Sequence, residues 1–275
     1  MPLQKTRLSS LRLCWIFSLC HIVISMITIC KITNKFLDVI IKWQFFYFYL
    51  DFCSLIRTFA LRMMKTIYSK YDKTRIAQLP RALFEGRIVV ILTERDAKKA
   101  VSYLLSQPIL GVDTETRPSF KKGQMHQVSL LQVSSHDVCF LFRLNQLHLS
   151  PSVKQLLEDT TVPKIGLSLR DDLNSLHKLG DFNAGCFVDL QDHVREIGVE
   201  DLSLQKLYAN FFAQRISKRE QLTNWEADIL NDKQKLYAAT DAWSCIMLYE
   251  ELMRLERTGD YELIKVIDDV QSNQA

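Results

Sequence analysis

Two apolar runs in this chain stop on carboxylates, and that pattern constrains the fold more than any other. Ile109-Leu110-Gly111-Val112 runs directly into Asp113-Thr114-Glu115. Such a run reads as a buried strand, and carboxylates are rarely buried without a partner. Residues i and i+2 of a strand share a face, so Asp113 and Glu115 sit side by side and repel. A cation has to offset that repulsion, either a Lys or Arg side chain or a hard divalent ion, which prefers carboxylate oxygens. If it is an ion, more acids should converge from elsewhere. The second run, "KIGLSLRDDLNSL" (164–176), again closes an apolar strand with acids, Asp171 and Asp172, at the start of a helix. In "QKLYAATDAWSCIMLYEEL" (234–252), Asp241 lies among apolar residues one helical turn after Tyr237, on the same face. Ala238 and Ala239 are small enough to let that helix close on a sheet. Each feature alone also fits a plainer role. Asp171 or Asp172 could be a helix N-cap, and Tyr237 with Asp241 an ordinary surface pair.

The chain around these features reads as α/β from Met64 onward. "GRIVVIL" is a short strand, and residues 93–107 form a helix capped by Thr93 with Asp96 in capping-box position. "QMHQVSLLQVSS" and "DVCFLFRL" are β-rich and meet at Ser-Ser-His-Asp, which reads as a hairpin. Residues 150–160 read as a helix, 162–169 as a strand, 170–180 as a helix stopped by Gly180, and "CFVDL" as another strand. Helices then dominate, with a long one from about Asn231 to Arg257. Strands followed by alternating β and α describe a mixed sheet carrying helices.

Residues 1–63 are of another texture. They contain no Gly and no Glu, while all eight glycines lie after residue 85. Eight Lys/Arg stand against Asp38 and Asp51, so the segment is +6 and, with the whole chain at +4, the remainder is −2. The basic balance therefore says nothing about a nucleic-acid partner. Residues 13–30 carry no formal charge, about the minimum length of a membrane span, with basic residues on both flanks. Two expectations follow for 1–63: a spurious extension with natural translation starting at Met63 or Met64, or a membrane anchor. Residues 64–275 are expected to form the functional domain, in the cytoplasm or as the cytosolic head of an anchored protein. Seven scattered cysteines without C-x-x-C spacing fit free thiols in a reducing compartment.

In order, "VDTET", "KIGLSLRDDLNSL" and "LYAATDAW" resemble the three motifs of the DEDD 3′–5′ exonucleases of the tyrosine subtype, a group that includes ribonuclease D and the Werner-type exonuclease domain. The resemblance covers roughly Arg87 to Leu255. It implies a ribonuclease-H-like α/β fold, a mixed five-stranded sheet flanked by helices. It also implies a metal-dependent hydrolase that releases nucleoside 5′-monophosphates from nucleic acid with a free 3′ end. Asp113 and Glu115 match the first two acids. The family's glycine lies six residues before the third acid, so Gly166 selects Asp172 over Asp171. Tyr237 and Asp241 match the tyrosine and the fourth acid. The resemblance further implies two Mg²⁺ or Mn²⁺ ions, with Asp113 bridging them, Glu115 and Asp241 completing one shell and Asp172 holding the other. Tyr237 would orient the attacking water, since a phenol of pKa about 10 is a poor base at neutral pH.

The loop "RPSFKKGQ" follows the first motif. Thr114, Arg117, Lys121 and Lys122 are candidates for substrate contact, with Phe120 stacking on a terminal base; an ordinary solvated loop is the alternative. Trp225 is expected in the core, and His126, His136 and His177 in structural roles. The chain ends soon after the third motif, without the helical RNA-binding domains that ribonuclease D carries. DNA, or both DNA and RNA, is therefore expected as substrate. The alternatives are a ribonuclease D-like RNA processor and a non-catalytic nucleic-acid-binding module of the same fold.

Overall fold

The computed structural model describes residues 64–266 except Lys122. The expectations for residues 1–63, and the one for Lys122, lie outside the described residues. Among the described residues no helix is long and apolar enough to cross a membrane.

Six strands form one sheet: β2 (Arg87–Ile91), β3 (Leu110–Thr116), β4 (Val128–Ser134), β5 (Val138–Arg143), β6 (Lys164–Gly166) and β7 (Phe187–Asp189), in the order β2-β5-β4-β3-β6-β7. The β3–β4 and β4–β5 pairs are antiparallel, and β2–β5, β3–β6 and β6–β7 are parallel. The expected five strands are thus joined by a sixth. "RIVVI" of β2 extends the sheet beyond β5 because the segment before α2 (Glu94–Leu104) runs back along that open edge. A pattern of apolar residues marks β2 as a strand but carries no information about its neighbour. A separate two-stranded parallel pair, β1 (Lys65–Tyr68) with β8 (Tyr261–Ile264), is not visible in the sequence. Only Ile67 of these eight residues is fully buried, so the segments lack an apolar signature.

Alternation along β3 divides the core. Leu110 and Val112 face α2 and α4 (Pro151–Glu158), where Ala97, Val101, Leu104, Val153 and Leu156 pack with them. The opposite face is covered by α8 (Asp232–Thr258), which lies across β3, β4, β5 and β6. Asn231 caps α8 in a reciprocal capping box with Gln234, and Gly259, with φ of 65°, ends it. Ala238, Ala239 and Ala242 are fully buried beneath it. Gly111 lets the helix come closest: a Cβ there would lie 1.9 Å from the carbonyl oxygen of Ala242.

Four shorter helices complete the described elements between β5 and α8, besides α4: α3 (Leu144–Leu147), α5 (Leu169–His177), α6 (Leu190–Glu196) and α7 (Leu204–Phe212); α1 (Lys73–Ile76) precedes β2. The start of α5 is fixed by Asp189, whose carboxylate accepts from the Ser168 and Leu169 amides at 3.0 and 2.9 Å. Ser168 is held in the left-handed region, φ 62°. The cap position therefore belongs to Ser168, and neither Asp171 nor Asp172 is the N-cap that each could have been.

Candidate active site

Because Gly111, Asp113 and Glu115 share a face of β3, both carboxylates point toward α8. There they meet Asp241. Oxygen atoms of Asp113, Glu115 and Asp241 all lie within 4.8 Å of one another. Glu115 and Asp241 are buried, and Asp241 Oδ1 has no hydrogen-bond donor among the described residues. An open cavity of about 260 Å³ spans this cluster, lined also by Thr114, Tyr237, Lys218 and Gln221.

Crowding and burial shape the charge. Burial, then Asp172 and Asp241, hold the Asp113 carboxyl well above the usual carboxylate range. Glu115 is pushed up to about 10 by burial and then by Asp113, Asp241 and Asp172. Asp241 rises to about 7 through burial, with the Tyr237 hydroxyl and the Lys218 charge pulling it back. Asp172 rises to about 6, mainly through burial. Hard oxygen donors, buried and mutually repelling, one of them orphaned, fit a divalent cation.

Asp172 stands apart from the three clustered acids. It projects from α5 and accepts a hydrogen bond from the Thr114 hydroxyl. Thr114 also donates its amide to Asp113 Oδ1 at 2.9 Å. The hydroxyl of Thr114, a candidate for substrate contact, thus also engages Asp172. Tyr237 is buried with its ring centroid 6.0 Å from that of Trp225, which is completely buried. Trp225 is therefore core and also the wall behind Tyr237. Burial and then the neighbouring Asp241, Glu115 and Asp113 raise the Tyr237 phenol above its ordinary range.

In the β3–β4 loop, Phe120 is 82% exposed and Lys121 is exposed, whereas Arg117 pairs with Glu226 at 3.0 Å. His126 also bonds Glu226, His136 bonds Glu250, and His177 stacks on Phe182. Three features had no signal of spacing. Lys218 brings a positive charge to the cavity, Glu226 bonds the loop, and Gln132, paired with Asp113 across the β3–β4 ladder, buries an amide with no partner among the described residues.

Comparison with known proteins places this geometry. The family described as 3′-5′ exonuclease matches residues 88–255, more than half of the chain. The chain belongs to the 3′–5′ exonuclease family. The chain is 29% identical over 205 residues to the mouse bifunctional 3′-5′ exonuclease/ATP-dependent helicase WRN, covering 71% of the chain but 14% of that protein. It is 34% identical over 136 residues to the Drosophila melanogaster exonuclease 3′-5′ domain-containing protein 2, covering 48% of the chain and 23% of that protein. The chain thus spans under a quarter of these two relatives. An Arabidopsis thaliana 3′-5′ exonuclease is 27% identical over 209 residues, 69% of this chain and 72% of that one. Among solved structures, the Aedes aegypti Nibbler EXO domain aligns with a TM-score of 0.56 at 20% identity, over 65% of this chain and 93% of that one. Escherichia coli RNase D, described as an exoribonuclease, aligns with 0.56 at 20% identity over 63% and 46%. These two likenesses establish a shared ribonuclease-H-like fold. The family is one of metal-dependent hydrolytic nucleases.

Proposed function

We propose that residues 64–275 hydrolyse the 3′-terminal phosphodiester of DNA, or of both DNA and RNA, to nucleoside 5′-monophosphates, using two Mg²⁺ or Mn²⁺ ions. The observation that carries this reading is the convergence of Asp113, Glu115 and Asp241 from β3 and α8 within 4.8 Å. Asp113 would be shared between the ions, Glu115 and Asp241 would complete one shell, and Asp172, aimed by Thr114, would serve the other. The ions supply an activated water and offset charge on the scissile phosphate and the leaving oxygen. Tyr237 keeps its proton and orients that water rather than deprotonating it. Lys218 adds a fixed positive charge for the phosphate in a cavity otherwise lined by acids. Phe120 and Lys121 stand ready for a base and a phosphate upstream of the 3′ end. Purified full-length protein with Mg²⁺ or Mn²⁺, given end-labelled single-stranded DNA, a duplex with a recessed 3′ end and RNA, tests the reading. Stepwise 3′ shortening of DNA supports it. Shortening of RNA alone replaces it with a ribonuclease D-like activity, and binding without shortening replaces it with a non-catalytic module.

The ionisation of the site gives a second test. Asp172 and Asp241, near 6 and 7 in the fold, lie above the ordinary aspartate value of about 3.9. With Glu115 pushed up to about 10 as well, the native state holds more protons than the unfolded state from about pH 4 to about pH 10, so metal-free stability falls as pH rises through that window. A divalent ion needs the ionised acids, and its stabilisation grows over the same window. At 100 times its Kd, Mn²⁺ should add about 2.7 kcal/mol, or roughly 5–10 °C in Tm. Thermal melts at pH 5 and pH 8, with EDTA or Mn²⁺, should show the larger gain at pH 8. Equal gains at both would contradict it.

Tyr237→Phe keeps the ring against Trp225 and removes only the hydroxyl. It should lower kcat about 10- to 100-fold, on the scale of a lost orienting hydrogen bond, and leave the Mn²⁺ shift in Tm intact.

A further inference from the structure

A ten-residue stretch follows the strand that carries Asp113 and Glu115, and one carboxylate holds both of its ends. Glu226 Oε2 accepts from Arg117 Nη1 at 3.0 Å, and Glu226 Oε1 is 2.8 Å from His126 Nδ1. Among the described residues, the side-chain hydrogen bonds that lead out of 117–126 both end on Glu226. The rest of the stretch bonds within itself, as Ser119 to the Lys121 carbonyl does, and Phe120, Met125 and their neighbours lie in solvent. Both ends of the loop are thus tied to that one carboxylate.

Glu226 in turn stands on a rigid base. Its amide donates to Asn224 Oδ1 at 3.1 Å. The residue before it, Trp225, is completely buried against Tyr237. Fully buried Arg143 of β5 donates its guanidinium to the carbonyls of Ala227 and Asp228. Gln234 of α8 donates to Thr223 and to the Asn224 carbonyl. Segment 223–228 is therefore pinned to the sheet, to α8 and to the ring of Tyr237, and Glu226 is the point where that base grips the loop. A surface ion pair adds little to stability, yet here it ties both ends of the loop that carries exposed Phe120 and Lys121.

We infer that Glu226 is a positioning residue of the nuclease reaction. By tying Arg117 and His126 to a fixed base, it shapes residues 117–126 into an arch that grips the unpaired bases upstream of the 3′ terminus. It touches neither the reacting phosphate nor the acids. The inference rests on the function proposed above. It assigns to the loop the reading of single-stranded length and to Glu226 the geometry of that reading.

The test is steady-state kinetics of the full chain with Mn²⁺ on a dinucleotide and on a single-stranded 12-mer, for the parent, Glu226→Ala and Glu226→Asp. Fluorescence anisotropy of the labelled 12-mer in EDTA is measured in parallel. For Glu226→Ala, KM for the 12-mer should rise about tenfold, the scale of one lost base stack. Its kcat should stay within about twofold, and the dinucleotide kinetics should not change. The 12-mer Kd should rise with KM, and Glu226→Asp should restore most of it. An equal loss on dinucleotide and 12-mer, or unchanged 12-mer affinity, would overturn the inference. If the parent binds the 12-mer but hydrolyses nothing, the nuclease reading fails, and the anisotropy result still decides the role of Glu226.

Discussion

Asp113→Asn is expected to lower kcat by about 10³-fold or more, on the scale of losing a bridging ligand in a two-ion site, and to leave a folded protein that is more stable without metal than its parent. The two effects have one origin. Asp113 sits on the central strand, under α8, with its carboxyl held well above its ordinary range by burial and by Asp172 and Asp241. The unfolded chain ionises that group more readily than the metal-free fold does, so above the ordinary aspartate range the parent's folded state is disfavoured by the difference. Asn has no such difference and nearly the same shape. Its amide cannot, however, supply the charge that a shared cation requires. Melts in EDTA and in Mn²⁺ should therefore cross: the variant is the more stable in EDTA, the parent in Mn²⁺. Full activity in Asp113→Asn, or the same order of stabilities in both conditions, would remove Asp113 from the site.

The adjacent acids of α5 give the second large contrast. Asp172→Asn should cost about 10²-fold in kcat, on the scale of one lost electrostatic group at a transition state. Asp171→Asn should stay within about threefold, as surface substitutions do. Asp172 accepts the Thr114 hydroxyl and feels the other acids, whereas Asp171 is exposed on the first turn of the helix. Thr114→Val should reproduce part of the Asp172→Asn loss, because it frees the carboxylate to swing. A large effect at 171 with little at 172 would mean that the chain order was read one residue out of step.

The residues on which these contrasts rest differ in how far the sequence alone revealed them. The acids and Tyr237 lie in short-range patterns, apolar strands ending in carboxylates and a one-turn helical pair, while the preference for Asp172 comes from the resemblance, whose glycine stands six residues before the third acid. Local pattern also marks the strands, because burial on both faces of β4 and β5 leaves every residue apolar or small except Gln132 and Arg143. Contacts between distant segments leave no such trace. Arg117 and Glu226 are 109 residues apart, Thr114 and Asp172 58, and no periodicity joins them. The pairing of the candidate contact Arg117 with Glu226 therefore left no trace in the sequence. The β1–β8 pair and the place of β2 beside β5 escaped for a related reason, since pairing at a sheet edge is decided by where the chain returns.

Gly111 has a bearing on ion choice. The carbonyl of Ala242, the residue after Asp241, approaches the space a methyl at 111 would fill to 1.9 Å. The separation of Asp113 from Asp241 is therefore calibrated by two backbones in contact, with no side chain between them to yield. Coordination radii differ by a few tenths of an ångström, about 2.0–2.1 Å for Mg²⁺ against 2.3–2.6 Å for Ca²⁺. A single methyl wedged at 111 would open the gap by more than that difference. A residue with no side chain to offer an ion thus holds the two acids at their separation.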